Sequence, residues 1–215
     1  MIRVVLADDH AILRAGLKQL LNSMGDIEVV GEAANGAQVL EAVRRGGFDV
    51  LVLDITMPGR SGLELIKLVK TERPELRVLV LSMHSEKQYA VRAVRAGASG
   101  YLTKETASEE LATAIRRIAG GGAYVTPETA ERLVLQSSTD GAGAPHTRLS
   151  DREYEVFRMI VSGKSLTEIA DLLNLSVKTI STHKTRILEK LELASTADLV
   201  RYAGDHGLLE DASGG

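Results

Sequence analysis

Five short apolar runs in the first half of the chain leave few folds open to it. They are IRVVLA (2–7), IEVVGEA (27–33), DVLVLD (49–54), LRVLVLS (76–82) and SGYLT (99–103). They are rich in Val and Leu and show little polar alternation, which is how parallel strands covered on both faces read. Helical patterns separate them: Ile12, Leu13, Leu17, Leu20 and Leu21; Val39, Leu40 and Val43; Leu63, Leu65, Ile66 and Val69; Val91 and Val94; Leu111, Ala114, Ile115 and Ile118. Five βα units in succession predict an α/β fold, a doubly wound, five-stranded parallel sheet with helices on both faces. Thr106 and Glu109 are spaced as a capping box for the fifth helix.

The triple glycine 120–122 ends that helix. Thr126 and Pro127 then suit the cap and first position of a short helix. SSTDGAGAPHTR (137–148) has no apolar period and reads as a flexible linker. Beyond it the pattern is all helical. Ser150-x-x-Glu153 and Ser165-x-x-Glu168 are capping boxes, Ser176 can cap a third helix, and TADLVRYAGDHG forms a fourth. The expected organisation is 1–121 as the α/β domain, 122–147 as a linker helix and flexible linker, and 148–215 as a four-helix domain with a short tail. The 215 residues suffice for two small cores. The chain lacks cysteine, which excludes disulfides and thiolate chemistry. MIRVVLADDH has no signal-peptide h-region and no run approaches a membrane span, so a cytoplasmic protein is expected.

VLVLDITMPG (50–59) ends a buried strand on Asp54. In a doubly wound sheet, ligands bind beyond the carboxyl ends of the strands, near the switch in strand order. With the order 2-1-3-4-5, Asp54 on strand three and Asp8 and Asp9 on strand one converge. Three such carboxylates repel unless a cation joins them, and Mg²⁺ suits a few carboxylate oxygens plus water. Ser82 closes the fourth strand with a hydroxyl, and Lys104 follows the fifth with a mobile ammonium. Acid pair, single acid, hydroxyl and amine suit phosphoryl transfer to a carboxylate, with the cation, Lys104 and Ser82 meeting the phosphoryl oxygens. Taken singly, Asp9 could cap the first helix and Lys104 could be a solvated charge.

Residues 1–120 resemble the receiver domain of two-component response regulators, a flavodoxin-like fold, at all five strand ends. The resemblance implies that Asp54 accepts a phosphoryl group from a sensor histidine kinase. It implies that Asp8, Asp9 and Asp54 hold Mg²⁺ with the backbone carbonyl of Thr56, and that Ser82 and Lys104 engage the phosphoryl group. Tyr101 corresponds to an aromatic switch that turns inward; ordinary packing against the sheet is the other reading. Met83 departs from many receivers, where a smaller residue follows the hydroxyl. Thr56 and His84 stand where side chains tune phosphoryl lifetime, though His84 also reads as an ordinary surface residue.

SLTEIADLLNLSVKTISTHKTRILEKL places two helices around a very short joint, as in a helix-turn-helix. With Ile180 at zero on a wheel of 100° per residue, Ile187 and Leu191 fall within about 20° of it. Lys178, Thr182, Thr185 and Glu189 fall within about 40° of the opposite side, flanked by Ser181 and Arg186 and framed by Lys184 and Lys190. The chain's net charge of −3 names no partner. The local excess of Lys178, Lys184, Arg186 and Lys190 over Glu189 points to DNA phosphates.

Residues 148–210 resemble the LuxR-type helix-turn-helix of NarL/FixJ response regulators. By that resemblance Ser181, Thr182 and Thr185 read bases, while Lys178, Thr179, Lys184, Arg186 and Lys190 contact or flank phosphates. Some members carry lysines where this chain has hydroxyls, which alters the operator and not the mode. The last helix resembles one through which such domains pair on DNA, although Leu199, Val200 and Ala203 fit a domain core equally. The reading is a phosphorylation-controlled transcriptional regulator that is no enzyme beyond its own phosphotransfer and dephosphorylation. Its expected partners are a histidine kinase, double-stranded promoter DNA, RNA polymerase and a second copy of itself when phosphorylated, with no membrane. A haloacid-dehalogenase-type phosphatase would want an acid at position 56. A receiver that only dimerises, independent of phosphorylation, is the remaining alternative.

Overall fold

The computed structural model describes residues 1–57, 62–82, 87–137 and 144–209. Pro58 and Gly59, Met83, His84, most of the expected linker (138–143) and the tail (210–215) lie outside the described residues. The chain divides into two compact units, Met1–Arg132 and Leu133–Gly215.

In the first unit β1 (Ile2–Ala7), β2 (Ile27–Ala33), β3 (Val50–Asp54), β4 (Arg77–Ser82) and β5 (Gly100–Thr103) form one parallel sheet, ordered β2-β1-β3-β4-β5. Helices α1 (Ala11–Asn22), α2 (Gly36–Arg45), α3 (Gly62–Glu72) and α4 (Lys87–Arg95) are the crossovers, and α5 (Ala107–Ala119) follows β5. All five residues of β3 are buried, as a central strand covered on both faces requires. The edge strand β2 differs, with exposed Glu28, Val30 and Glu32 alternating with buried Ile27, Val29 and Ala33. One face of the sheet supplies Val4, Leu6, Val50, Val52, Leu79 and Leu81 to a core shared with Leu17 and Leu21 of α1 and with Leu111, Ala114, Ile115 and Ile118 of α5. Each fully buried Leu or Ile of this kind contributes about 1.5–3 kcal/mol.

Two sequence expectations fail locally. Ile12 belongs to the apolar pattern of α1 but is 91% exposed, because the buried stripe runs through Leu17 and Leu21. Thr106 is the N-cap of α5 but forms no capping box: its backbone is already α-helical (φ −90°, ψ −4°) and its side chain makes no cap bond. Its hydroxyl instead donates back to the Thr103 carbonyl at 3.3 Å. After Gly120–Gly122, the chain returns to the sheet edge. Tyr124 forms a parallel bridge with Gly100, accepting from the Tyr101 N–H at 2.9 Å and donating to the Ser99 carbonyl at 3.1 Å. Helix α6 (Pro127–Ser137) then starts as expected, with the Thr126 hydroxyl accepting from the Thr129 N–H.

The second unit holds a 3-10 turn (Pro145–Arg148) and helices α7 (Asp151–Val161), α8 (Leu166–Leu173), α9 (Val177–Leu191) and α10 (Thr196–Asp205). Both serine capping boxes form, at Ser150–Glu153 and Ser165–Glu168, and Ser176 caps α9 through the Thr179 N–H. The 3-10 turn corrects the reading of 137–148 as a flexible linker over its last four residues, Pro145–Arg148. Pro145 starts the turn and His146 is buried, its N–H donating to the Tyr202 hydroxyl of α10 at 3.2 Å. Tyr202 in turn stacks on His206, ring centroids 4.0 Å apart.

Candidate functional site

The acid cluster forms where the neighbouring strands β1 and β3 end. Asp54 is 1% exposed at the last position of β3, Asp8 is nearly as buried, and Asp9 is on the rim. Gly62 lets α3 begin close against the segment after Asp54: a Cβ there would lie 2.4 Å from Ile55 Cβ and 2.5 Å from the Ile55 carbonyl oxygen. One Asp54 oxygen accepts from the Thr56 N–H (2.8 Å) and the Thr56 hydroxyl (2.6 Å). Position 56 therefore orients the acid by donation and supplies no second acid, as a dehalogenase-type phosphatase would require.

Lys104 is the departure from expectation. Its side chain is only 5% exposed, so it is no mobile or solvated charge. The ammonium lies 2.7 Å from one Asp54 oxygen and 2.8 Å from one Asp8 oxygen. Its position follows from β5: the Lys104 N–H donates to the Ser82 carbonyl at the end of β4. Burial alone would push its pKa down, but its bonds to Asp54 and Asp8 hold it above the ordinary lysine value. Ser82 is fully buried at the strand end, and Tyr101 is buried on β5, 7% exposed.

Asp9 does not cap α1. The N-cap is His10, and Asp8 accepts its N–H at 2.7 Å. His10 is the site residue that sequence reasoning missed. Its Nδ1 lies 3.1 Å from an Asp8 oxygen and 3.0 Å from an Asp9 oxygen. One ligand atom from each of Asp8, Asp9, His10 and Asp54 lies within 4.8 Å of all the others. An oxygen-rich donor set of this size, with Asp8 and Asp54 buried and Asp9 and His10 at the solvent edge, fits a hard divalent cation.

The second unit presents a face of opposite character. Asn174, in the left-handed conformation (φ 51°), ends α8, and Ser176 opens α9 two residues later. Asn tolerates that backbone better than most residues. Ile180, Ile187 and Leu191 are buried, as the wheel predicts, while Lys178, Ser181, Thr182, Thr185, Arg186 and Glu189 are exposed. The Thr182 and Thr185 hydroxyls donate back to the carbonyls of Lys178 and Ser181, at 3.0 and 3.1 Å. Thr179 and Lys184 are half-buried, with Thr179 paired to the capping hydroxyl of Ser176 at 2.8 Å. Lys190 is engaged inside the unit, its ammonium 2.6 Å from Glu153 of α7. Burial would raise the Glu153 carboxyl, but Lys190 and the Ser150 backbone and hydroxyl hold it below its ordinary value. In α10, Leu199 and Ala203 belong to the core, whereas Val200 is exposed.

Comparison with known proteins bears on both regions. The family described as response regulator receiver domain matches residues 4–116, and that of the bacterial regulatory proteins of the luxR family matches residues 147–203. Response regulator UvrY of Escherichia coli is 34% identical over 97% of this chain and 96% of its own. A structure of the Salmonella typhimurium response regulator RcsB, described as showing conformational dynamism for DNA interaction, superposes with a TM-score of 0.70. It is 30% identical over 95% of this chain and 97% of that one. RcsB of Salmonella enterica serovar Typhimurium bound to promoter rprA in the presence of the phosphomimetic BeF3⁻ gives a TM-score of 0.64. That chain is 30% identical, with 95% of this chain and 99% of that one covered.

Proposed function

Since the chain belongs to the response regulators that join a receiver domain to a LuxR-type DNA-binding domain, we propose that Asp54 takes a phosphoryl group from a sensor histidine kinase and that this controls promoter binding by α9. The observation that carries the reading is the Lys104 ammonium shared between Asp54 and Asp8. It sets a cation directly against a buried carboxylate at the edge of the sheet, where a carboxylate nucleophile and the incoming phosphoryl oxygens both need one.

Thr56 fixes the Asp54 carboxylate by two donated hydrogen bonds. The carboxylate forms an O–P bond as the P–N bond to the donor histidine breaks, and the histidine nitrogen leaves with the electron pair. Lys104 then exchanges a carboxylate oxygen for a phosphoryl oxygen, and Ser82 binds another. Asp8, Asp9 and Asp54, with the Thr56 carbonyl, would hold Mg²⁺, which supplies charge neutralisation for the phosphoryl oxygens. Hydrolysis of the acyl phosphate by the receiver itself resets the state.

Tyr101 reports the change from β5, which leads to dimerisation, and α9 enters the major groove with Lys178 and Arg186 on phosphates and Ser181, Thr182 and Thr185 toward base edges. Thr179, Lys184 and Lys190 act at the margin of that contact. The boundaries that fit this division are 1–121 for the receiver, 122–147 for the connection and 148–215 for the DNA-binding domain. The setting is the cytoplasm, where the bound dimer meets RNA polymerase. Among the described residues no helix is long and apolar enough to cross a membrane.

The test is phosphotransfer from a histidine kinase or acetyl phosphate, followed by promoter binding. Asp54→Asn abolishes labelling and removes the gain in DNA affinity that phosphorylation gives, about 5- to 150-fold for a typical two-site linkage. Unchanged DNA occupancy with labelling lost would leave the receiver as a phosphorylation-independent dimerisation module.

A further inference from the structure

His10 stands in the acid pocket without a role in the scheme above. As N-cap of α1 its backbone is extended (φ −83°, ψ 98°), and its side chain makes no cap bond. Its ring is turned toward the acids instead, with Nδ1 3.0 Å from Asp9 and 3.1 Å from Asp8. In an octahedral cation site with bonds of about 2.1 Å, adjacent ligand atoms lie about 3.0 Å apart. A simple hydrogen bond from His10 to one acid would give the same separation once. Here it occurs to oxygens of two different residues, and one atom each of Asp8, Asp9, His10 and Asp54 falls within a single cluster of 4.8 Å.

We propose that His10 is a nitrogen ligand on the rim of this pocket and biases the receiver toward first-row transition divalents over Mg²⁺. The inference rests on the pocket being a cation site. Carboxylate and carbonyl oxygens alone suit Mg²⁺, Ca²⁺ and Mn²⁺, whereas an imidazole nitrogen favours softer ions such as Co²⁺ and Ni²⁺. Because the ring is on the solvent side and the helix cap is carried by the backbone, a cation can draw the imidazole in without rearranging α1.

The experiment titrates the full chain with MgCl₂ and with CoCl₂, each by calorimetry and the latter also by visible absorption, for the unaltered protein, His10→Ala and His10→Asn. Asn keeps a side chain able to cap α1 and so controls for the fold. Expected is a fall of about tenfold or more in the Co²⁺-over-Mg²⁺ preference in both variants. The Mn²⁺-loaded unaltered protein should also show a ¹⁴N coupling in pulsed EPR that vanishes in His10→Ala. An unchanged preference with no nitrogen coupling, while Mg²⁺ still binds, overturns the role of His10 and leaves the cation site standing. Failure of every variant to bind any divalent cation overturns both.

Discussion

At the carboxyl edge of the sheet, charges are buried against one another: Lys104, Asp8 and Asp54 each have a partner within 2.8 Å. On the outer face of α9, Lys178, Ser181, Thr182, Thr185 and Arg186 all stand in water. The first arrangement is built for one geometry, since in a low-dielectric site the loss of any member leaves another charge uncompensated. The second is distributed. Exposed cations add their contributions to a polyanion in small, screened steps. A single substitution should therefore act as all or nothing in one region and by degrees in the other.

The sharpest way to break that contrast is Asp54→Asn, for which no residual phosphotransfer is expected; labelling that fell only by degrees would put the nucleophile elsewhere. Next is Lys104→Met without divalent cation, expected to lower the unfolding free energy by about 3–5 kcal/mol in urea, because two buried carboxylates lose their shared cation. Saturating Mg²⁺ should raise the midpoint of this variant more than that of the unaltered protein. The Lys104 pKa is raised by its partners, so its pairing contributes fully below the ordinary value of 10.5 and is lost as pH climbs through the folded value. The difference between the two proteins should narrow only in strong alkali.

Gly62→Ala should cost about 1–3 kcal/mol by overpacking against Ile55, and it should slow phosphotransfer because the displaced segment carries Thr56. A normal rate would show that the pocket tolerates movement. In the other region, Glu153→Gln removes a buried partner of Lys190, for about 1–3 kcal/mol at neutral pH. The folded-state pKa of Glu153 is depressed, so its contribution is present above the ordinary value of 4.5 and disappears as pH falls through the folded value. The two proteins should thus converge in acid. The smallest effect is expected from Arg186→Ala, which should weaken binding similarly on every operator and reduce the slope of log K against log salt by ~0.9. Loss of sequence preference with an unchanged slope would place Arg186 on a base edge instead.

Much of this was legible in the sequence because strand ends are. A Val- and Leu-rich run ending in Asp54 fixes both a strand and the place where its acid emerges, and the same logic gave Asp8, Ser82 and Lys104. The 3.6-residue period likewise separated Ile180, Ile187 and Leu191 from the hydroxyl face of α9. What escaped depends on contacts rather than on pattern. The pairing of Lys190 with Glu153 joins residues 37 apart, and nothing local announces it. His10 beside an acid pair reads as surface until the start of α1 aims its ring. Thr106 and Glu109 have capping-box spacing, yet the backbone entering α5 is already helical and the hydroxyl finds Thr103 first.

Tyr124 lies five residues beyond α5, yet its backbone completes the hydrogen bonding of the outermost strand at Gly100 and Tyr101. Bare strand edges template the addition of foreign strands, the usual route to aggregation. Here that edge is partly occupied from within the same chain, beside the ring that the switching scheme needs. An incoming strand therefore meets backbone groups that are already satisfied at these positions, so the outermost strand is guarded by the chain that made it.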